Sequence, residues 1–180
     1  MNTAAPLDRI ADAAVEGFES LESFADVAGF RAALTAAVDS SDPQAGFVEA
    51  ARTFQDAGRA AIRQRFEGGE NAGWPASRAL AKLQDEIVRG LFSAGEALYP
   101  LPHPTSSERL SIVAVGGYGR GGLAPQSDID LLFLLPYKRT AWAETLVETI
   151  LYALWDLGLK VGQATRSIDC LLYTSPSPRD

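Results

Sequence analysis

Residues 111–135 read SIVAVGGYGRGGLAPQSDIDLLFLL, and this stretch decides the fold. Residues 110–115 and 129–135 are short apolar runs with many branched side chains, which is typical of β-strands. Glycines follow the first run directly, and Pro136 closes the second. The stretch therefore predicts two β-strands joined by a glycine-rich loop.

The residues downstream extend this pattern into an α/β core. Thr140 is a predicted N-cap for a helix through about Leu157, because apolar side chains recur there at helical spacing and Gly158 follows as a stop. Residues 160–167 are a predicted third strand. The order strand, glycine loop, strand, helix, strand indicates an α/β arrangement.

Three helical patterns precede this core. Residues 6–28 carry an apolar stripe opposite acidic side chains, which predicts either a surface helix or a leader that packs poorly. Residues 43–66 and 75–98 follow, and the short glycine-rich segment between them predicts an antiparallel helical hairpin. The leucine-rich stripe of residues 75–98 favours packing onto the protein's own core over a partner-binding zipper.

Composition and charge exclude several classes of protein. The 180 residues carry 16 basic and 23 acidic side chains, a net charge of −7, and broad binding to a phosphate backbone needs the opposite balance. No apolar run approaches the roughly 20 residues that cross a bilayer, and no export signal opens the chain. We therefore expect a cytoplasmic protein that binds neither nucleic acid nor membrane.

Proline and serine divide the chain. Three prolines and two serines in residues 100–108 predict a rigid linker between a helical region, residues 1–99, and the α/β core, residues 109–169. Residues 170–180 read CLLYTSPSPRD and resemble an in-frame translation of a transposase sequencing adapter. We predict that this tail is non-native and that the core is truncated; a native Ser/Pro-rich end is the alternative.

Two carboxylates at the start of the second predicted strand are the candidate catalytic and metal-binding residues. Asp128 and Asp130 lie two apart, so a strand would project both side chains from one face, about 7 Å apart. Carboxylates held in this way repel unless a cation lies beside them. Oxygen ligands suit Mg²⁺, and a nucleoside triphosphate would complete its coordination shell.

The glycines after the first strand are the candidate nucleotide-binding residues. Gly116 and Gly117 let backbone N–H groups approach a phosphate closely, and Arg120 can add positive charge. A dinucleotide fold is excluded, because Pro125 interrupts the helix that such a loop should open. Alone, Gly-Gly indicates a turn and Asp-x-Asp a cap, but their joint occurrence at strand ends favours metal-assisted nucleotidyl transfer.

This stretch resembles the nucleotidyltransferase superfamily that includes DNA polymerase beta, whose pattern is hydrophobic-Gly-Gly/Ser, a gap, and Asp-hydrophobic-Asp-hydrophobic. More closely, VAVGGYGRG (113–121), SDIDLLFL (127–134) and LWDLGLKVG (154–162) look like the bifunctional uridylyltransferase/uridylyl-removing enzymes that act on the nitrogen regulatory protein PII. Gly122 departs from the glutamate that is usual in that family. The resemblance implies an α+β chain, in which a helical hairpin precedes a truncated polymerase-beta-like nucleotidyltransferase core with a mixed sheet.

The resemblance also implies roles for individual residues. Gly116 and Gly117 would cradle the phosphates of UTP with help from Ser127, while Asp128 and Asp130 would bind Mg²⁺. UMP would pass from UTP to a tyrosine of PII, and glutamine would act as an effector of the full-length enzyme. The superfamily's third carboxylate is expected downstream of residue 169, so the chain itself is predicted to be inactive.

Other functions remain open from the sequence. A glutamine synthetase adenylyltransferase or a tRNA-tailing enzyme would share the same Gly-Gly and Asp-x-Asp geometry, although the acidic balance argues against an RNA substrate. A degenerate nucleotide-binding adaptor would bind UTP without turnover. The base preference has no visible determinant in these residues.

Overall fold

The computed structural model describes residues 20–68 and 73–174. This part of the chain contains the helices α1 (Val27–Val38), α2 (Pro43–Glu67), α3 (Gly73–Leu98), α4 (Gly116–Gly119), α5 (Ala141–Asp156) and α6 (Ile168–Thr174), and the strands β1 (Ser111–Val115), β2 (Ile129–Leu135) and β3 (Val161–Ser167). α6 covers part of the predicted adapter-like tail, and residues 175–180 lie outside the described residues. Among the described helices, none combines the length and apolar composition needed to cross a membrane.

The first helix differs from the prediction. Residues 6–19 lie outside the described residues, and the rest of the predicted helix is interrupted, because Leu21–Ser23 form a 3-10 turn and α1 begins only at Val27. Asp26 causes the break, since its Oδ1 accepts a hydrogen bond from the Gly29 N–H at 2.9 Å and so caps α1. A short polar side chain thus starts a separate helix, which continues to Val38 and so extends well beyond the predicted range of residues 6–28.

The predicted hairpin of α2 and α3 is present, and α1 packs against both helices. Asp42 caps α2 through its Oδ1, which accepts from the Ala45 N–H at 3.0 Å. Gly58 of α2 faces Leu83 of α3 so closely that a Cβ at Gly58 would lie 2.5 Å from Leu83 Cδ1. The absence of a side chain at Gly58 therefore brings the two helix backbones together.

α3 is the central helix of the fold. Gly90 faces α1, and a Cβ there would lie 2.7 Å from both Leu34 Cδ1 and Phe30 Cε1. Gly95, one turn further along, contacts Leu146 of α5 in the same way. Through these contacts one apolar core runs from the helical region to the sheet, across the predicted linker in the sequence.

The linker itself contains neither helix nor strand in residues 100–108. Ser106 Oγ and Ser107 Oγ form hydrogen bonds with the hydroxyl of Tyr137 at 2.8 and 3.0 Å. These bonds lower the pKa of Tyr137 from its ordinary value, and the bond with Ser106 has the larger effect. The linker is thereby attached to the end of β2 that lies away from the carboxylates.

The sheet is mixed, as predicted, and has the order β1-β2-β3. β1 pairs antiparallel with β2, which sets Val115 opposite Asp130. β3 pairs parallel with β2, which sets Gly162 opposite Asp130 on the other side. The parallel pair needs a crossover connection, and α5 provides it.

The two faces of the sheet differ because side chains alternate along each strand. Four side chains of β2 are at most 2% exposed and face the helices: Ile129, Leu131, Phe133 and Leu135. The alternate residues of β2, Asp130, Leu132 and Leu134, are only partly buried. Val113 and Val115 of β1, opposite these residues, are 39% and 37% exposed. The open face therefore carries Asp130.

Candidate active site

The two predicted carboxylates lie at the start of β2. Asp130 is the second residue of the strand and is half-buried on the open face, while Asp128 is exposed just before the strand begins. β2 crosses the middle of the sheet, so its start is held by β1 on one side and β3 on the other. Asp130 therefore sits on a rigid part of the fold.

Two glycines hold the Asp130 carboxylate in a slot. Gly116, directly after β1, approaches one oxygen so closely that a Cβ there would lie 2.6 Å from Asp130 Oδ2. Gly162 of β3 approaches the other oxygen, and a Cβ at this residue would overlap Asp130 Oδ1. One carboxylate oxygen thus faces the glycine that follows β1, and the other faces a glycine of β3. The structure brings the predicted residues Gly116 and Asp130 together in this slot.

Gly116 is required by its backbone as well. Its φ is +61°, in the left-handed region that L side chains disfavour. This conformation turns the chain out of β1 and into α4, where Gly117 is exposed at the start of the helix. Gly116 therefore combines a backbone conformation and a steric fit that no other residue type satisfies.

The other two predicted nucleotide-binding residues lie close by in the sequence but have different surroundings. Arg120 is exposed, and its Nη2 lies 3.8 Å from the position that a Cβ of Gly117 would occupy. Ser127 lies in an exposed turn, where its hydroxyl donates to the Ala124 carbonyl at 3.1 Å. The structure thus places Arg120 beside Gly117, whereas the hydroxyl of Ser127 bonds within its own turn.

Tyr118, which the sequence analysis assigned no role, attaches the glycine segment to the helical region. Its side chain is 4% exposed, and its hydroxyl donates to Asp85 Oδ1 of α3 at 2.7 Å. Burial, followed by the charge of Asp85, raises the pKa of the Tyr118 phenol far above its ordinary value of 10.0. Tyr118 therefore stays protonated and keeps donating. The only sign of this attachment in the sequence is that an aromatic residue lies inside a run of glycines.

A second attachment holds the far end of the glycine segment. The Leu123 N–H donates to the Ser77 carbonyl of α3 at 3.1 Å. Gly122 packs against the same helix, because a Cβ there would lie 3.1 Å from Ser77 Oγ and 3.4 Å from Trp74 Cζ3. A glutamate at position 122 would have to pass these two side chains, so its absence fits the close packing on α3.

The site offers part of the coordination shell of a hard cation. Asp128 and Asp130 supply carboxylate oxygens, which Mg²⁺ prefers, and the glycine slot orients one of the two groups. In residues 20–68 and 73–174, no group of three or more His, Cys, Asp or Glu could hold a metal ion. Asp169, in the first turn of α6, lies beyond β3. Asp128 and Asp130 are thus the residues of this site whose chemistry suits such a cation.

Comparisons with known proteins point to the same chemistry. Residues 104–177 match the family described as Nucleotidyltransferase domain. The chain is 48% identical over 137 residues to a bifunctional uridylyltransferase/uridylyl-removing enzyme of Ruegeria pomeroyi, covering 75% of the chain and 15% of that protein. Proteins of the same name from Rhodopseudomonas palustris and Bradyrhizobium diazoefficiens are 47% identical over 161 residues and 63% identical over 91 residues.

The matches cover much more of this chain than of the relatives. The match to the Rhodopseudomonas palustris protein includes 87% of this chain but 17% of that protein, and the match to the Bradyrhizobium diazoefficiens protein includes 50% and 10%. The chain thus spans a small part of the length of the curated relatives that it matches. No solved structure matches the chain.

Proposed function

We propose that the full-length protein to which this chain belongs transfers UMP from UTP to a tyrosine of the nitrogen regulatory protein PII, a proposal supported by the match of residues 104–177 to the nucleotidyltransferase domain family. The observation that carries the proposal is the contact between Asp130 and Gly116, which joins the candidate metal ligand to the candidate phosphate-binding segment. The choice of UTP rests on the uridylyltransferases that the chain resembles.

The glycine segment binds the triphosphate in this proposal. Gly116 and Gly117 are exposed and lack side chains, so a phosphate can approach their backbone N–H groups without steric hindrance. Arg120, beside Gly117, adds a guanidinium that pairs with phosphate oxygens. The hydroxyl of Ser127 contributes a further hydrogen bond once it turns away from the Ala124 carbonyl.

Asp128 and Asp130 would hold Mg²⁺ in this proposal, because carboxylate oxygens suit this cation. When bound, Mg²⁺ would supply positive charge that neutralises the phosphates of UTP. Because the slot between Gly116 and Gly162 fixes Asp130, the carboxylate needs no reorganisation when the nucleotide arrives.

The proposed reaction exchanges a phosphoanhydride bond of UTP for a phosphodiester bond to the tyrosine oxygen. The phenol oxygen of a PII tyrosine forms a bond to the α-phosphorus of UTP while the bond from that phosphorus to the β-phosphate oxygen breaks. Pyrophosphate leaves with the electron pair, and the phenol proton passes to solvent. The residues of this chain bind and orient UTP, with Arg120 stabilising negative charge on the phosphates.

The 180-residue chain is proposed to bind UTP without transferring UMP. The two carboxylates at the start of β2 are expected to need a third from a segment downstream of residue 169. In this proposal, glutamine acts as an effector of the full-length enzyme. The protein is also proposed to be located in the cytoplasm.

UTP binding to the chain in the presence of Mg²⁺ tests the site, and isothermal titration calorimetry measures it. We expect Asp130→Asn to weaken UTP binding by more than about 10-fold, because the variant loses a metal ligand. Glu144→Gln is the matched control, since it removes an exposed carboxylate from the first turn of α5, near the other end of the sheet. Equal UTP affinity in both variants would reject Asp130 as a metal ligand.

Two further measurements separate the alternatives. Competition with ATP distinguishes a uridylyltransferase from an adenylyltransferase, because only the latter should prefer ATP over UTP. Incubation of the chain with α-labelled UTP, Mg²⁺ and PII should leave PII unlabelled. The bifunctional uridylyltransferase/uridylyl-removing enzyme of Ruegeria pomeroyi is assayed in parallel for comparison. Labelling of PII by the 180-residue chain itself would contradict the need for a third carboxylate.

A further inference from the structure

We infer that Gly162 is a positioning residue, whose lack of a side chain sets the orientation of the Asp130 carboxylate towards the cation and phosphates. This inference rests on the proposed function, because it concerns the same carboxylate. Gly162 lies on β3, outside both the glycine segment and the Asp-x-Asp motif.

The register of the sheet creates the contact. β3 pairs parallel with β2 so that Gly162 stands directly beside Asp130, on the same open face. The carboxylate leans across this position, because a Cβ at Gly162 would overlap Asp130 Oδ1. On the other side, Gly116 limits Oδ2, so the carboxylate group is confined between two backbones.

Backbone conformation does not account for the glycine at position 162. Positive φ values occur at Gly116, Gly121 and Gly158, and Gly162 is an ordinary residue of an extended strand. Glycine weakens a strand, so a glycine inside one marks a place where another group approaches closely. At Gly162 the nearest groups beyond its own neighbours in the chain belong to Asp130.

Alanine at position 162 has one direct consequence. The added methyl group would meet Asp130 Oδ1, and Gly116 blocks the opposite direction, so the carboxylate must rotate or shift away from the slot. Gly162 is exposed, and the buried residues of β2 face the helices on the other side of the sheet. The substitution therefore changes the direction of a metal ligand while the apolar core stays in place.

Binding of Mn²⁺ to the 180-residue chain with UTP present, followed by electron paramagnetic resonance, tests the inference. We expect Gly162→Ala to weaken Mn²⁺ binding by about 10-fold or more, the effect that groups orienting a metal ligand typically have. Gly73→Ala is the matched control, because a Cβ at Gly73 meets nothing within 4 Å. Circular dichroism and thermal unfolding establish that both variants are folded.

The outcomes separate the inference from the proposed function. If Asp130→Asn weakens Mn²⁺ binding and Gly162→Ala matches Gly73→Ala, the role of Gly162 is wrong and the proposed site stands. If the wild-type chain binds no Mn²⁺ with UTP, or Asp130→Asn leaves Mn²⁺ binding unchanged, both fail. A weaker affinity confined to Gly162→Ala and Asp130→Asn supports the inference, and Ala164→Gly should leave the affinity unchanged, since Ala164 stands beside Leu132.

Discussion

The two faces of β2 are formed by alternate residues of one strand, yet one face packs in the core and the other carries the candidate site. On the inner face, Leu131 and Phe133 are almost fully buried against the helices. On the open face, Asp130 and Leu132 are only partly covered. The candidate site thus obtains its rigidity from the residues beside it in the sequence, because each buried side chain of β2 anchors the backbone that carries a neighbouring side chain of the open face.

The helical region also makes the glycine segment rigid. Tyr118 and Leu123 attach that segment to α3 through hydrogen bonds to Asp85 and Ser77. α3 is in turn packed against α1, α2 and α5. The helices therefore support the open face in two ways. They pack against the buried face of β2, and α3 also holds the glycine segment in place.

The largest expected effect comes from one substitution made on each face. Leu131→Ala should lower the free energy of unfolding by about 2–5 kcal/mol, since a buried leucine leaves a cavity. Leu132→Ala, the same change one residue away on the open face, should lower it by about 1 kcal/mol or less. Urea unfolding followed by circular dichroism measures both. Equal losses would break the comparison between the faces.

An intermediate effect is expected where the helical region holds the glycine segment. Tyr118→Phe removes the hydrogen bond to Asp85 and leaves that carboxylate without the phenol donor, so the free energy of unfolding should fall by about 1.5–3 kcal/mol. The double variant with Asp85→Asn gives the coupling between the two residues. A coupling free energy of zero in this double-mutant cycle would mean that the hydrogen bond does not stabilise the fold.

The same pair predicts a dependence on pH. Folding raises the pKa of Tyr118 above its ordinary value of 10.0, so the stabilisation is fully present below pH 10.0 and is lost as the pH rises further. The difference in unfolding free energy between wild type and Tyr118→Phe should therefore narrow above pH 10.0. Unfolding experiments at pH 8 to 11 measure this difference, and a constant difference across that range would contradict the raised pKa.

The smallest structural effect is expected at Ser127. Its hydroxyl donates to a carbonyl in an exposed turn, so Ser127→Ala should change the free energy of unfolding by no more than about 0.5 kcal/mol. UTP affinity should fall by roughly 5-fold if the hydroxyl binds a phosphate, which corresponds to one ordinary hydrogen bond. Calorimetry with Mg²⁺ and UTP measures this affinity. Unchanged affinity would remove Ser127 from the proposed site.

Much of the fold could be predicted because its signals are local. The three strands and α5 occupy the predicted ranges to within a few residues, since apolar runs, caps and glycine stops act over neighbouring positions. α1 was missed as a separate helix. Its start depends on the Asp26 side chain bonding to the Gly29 N–H, and most of its length lies beyond residue 28, where no helix was predicted.

The candidate site divides in the same way. Asp128, Asp130, Gly116 and Gly117 could be predicted as candidate site residues from spacing, because a strand and the loop before it set their relative positions. Gly162 and the partnership of Tyr118 with Asp85 were not, since each joins segments that are distant in the sequence. Only strand register and helix packing bring such residues together.

Local sequence signals specify the strands, the glycine turn after β1 and the carboxylate pair at the start of β2, because alternation and backbone preference are properties of adjacent residues. Tertiary contacts, in contrast, place Asp130 in a slot between Gly116 and Gly162 and bury Tyr118 against α3. The physical reason is that a close contact between distant segments depends on the register of the sheet and on the packing of the shared core.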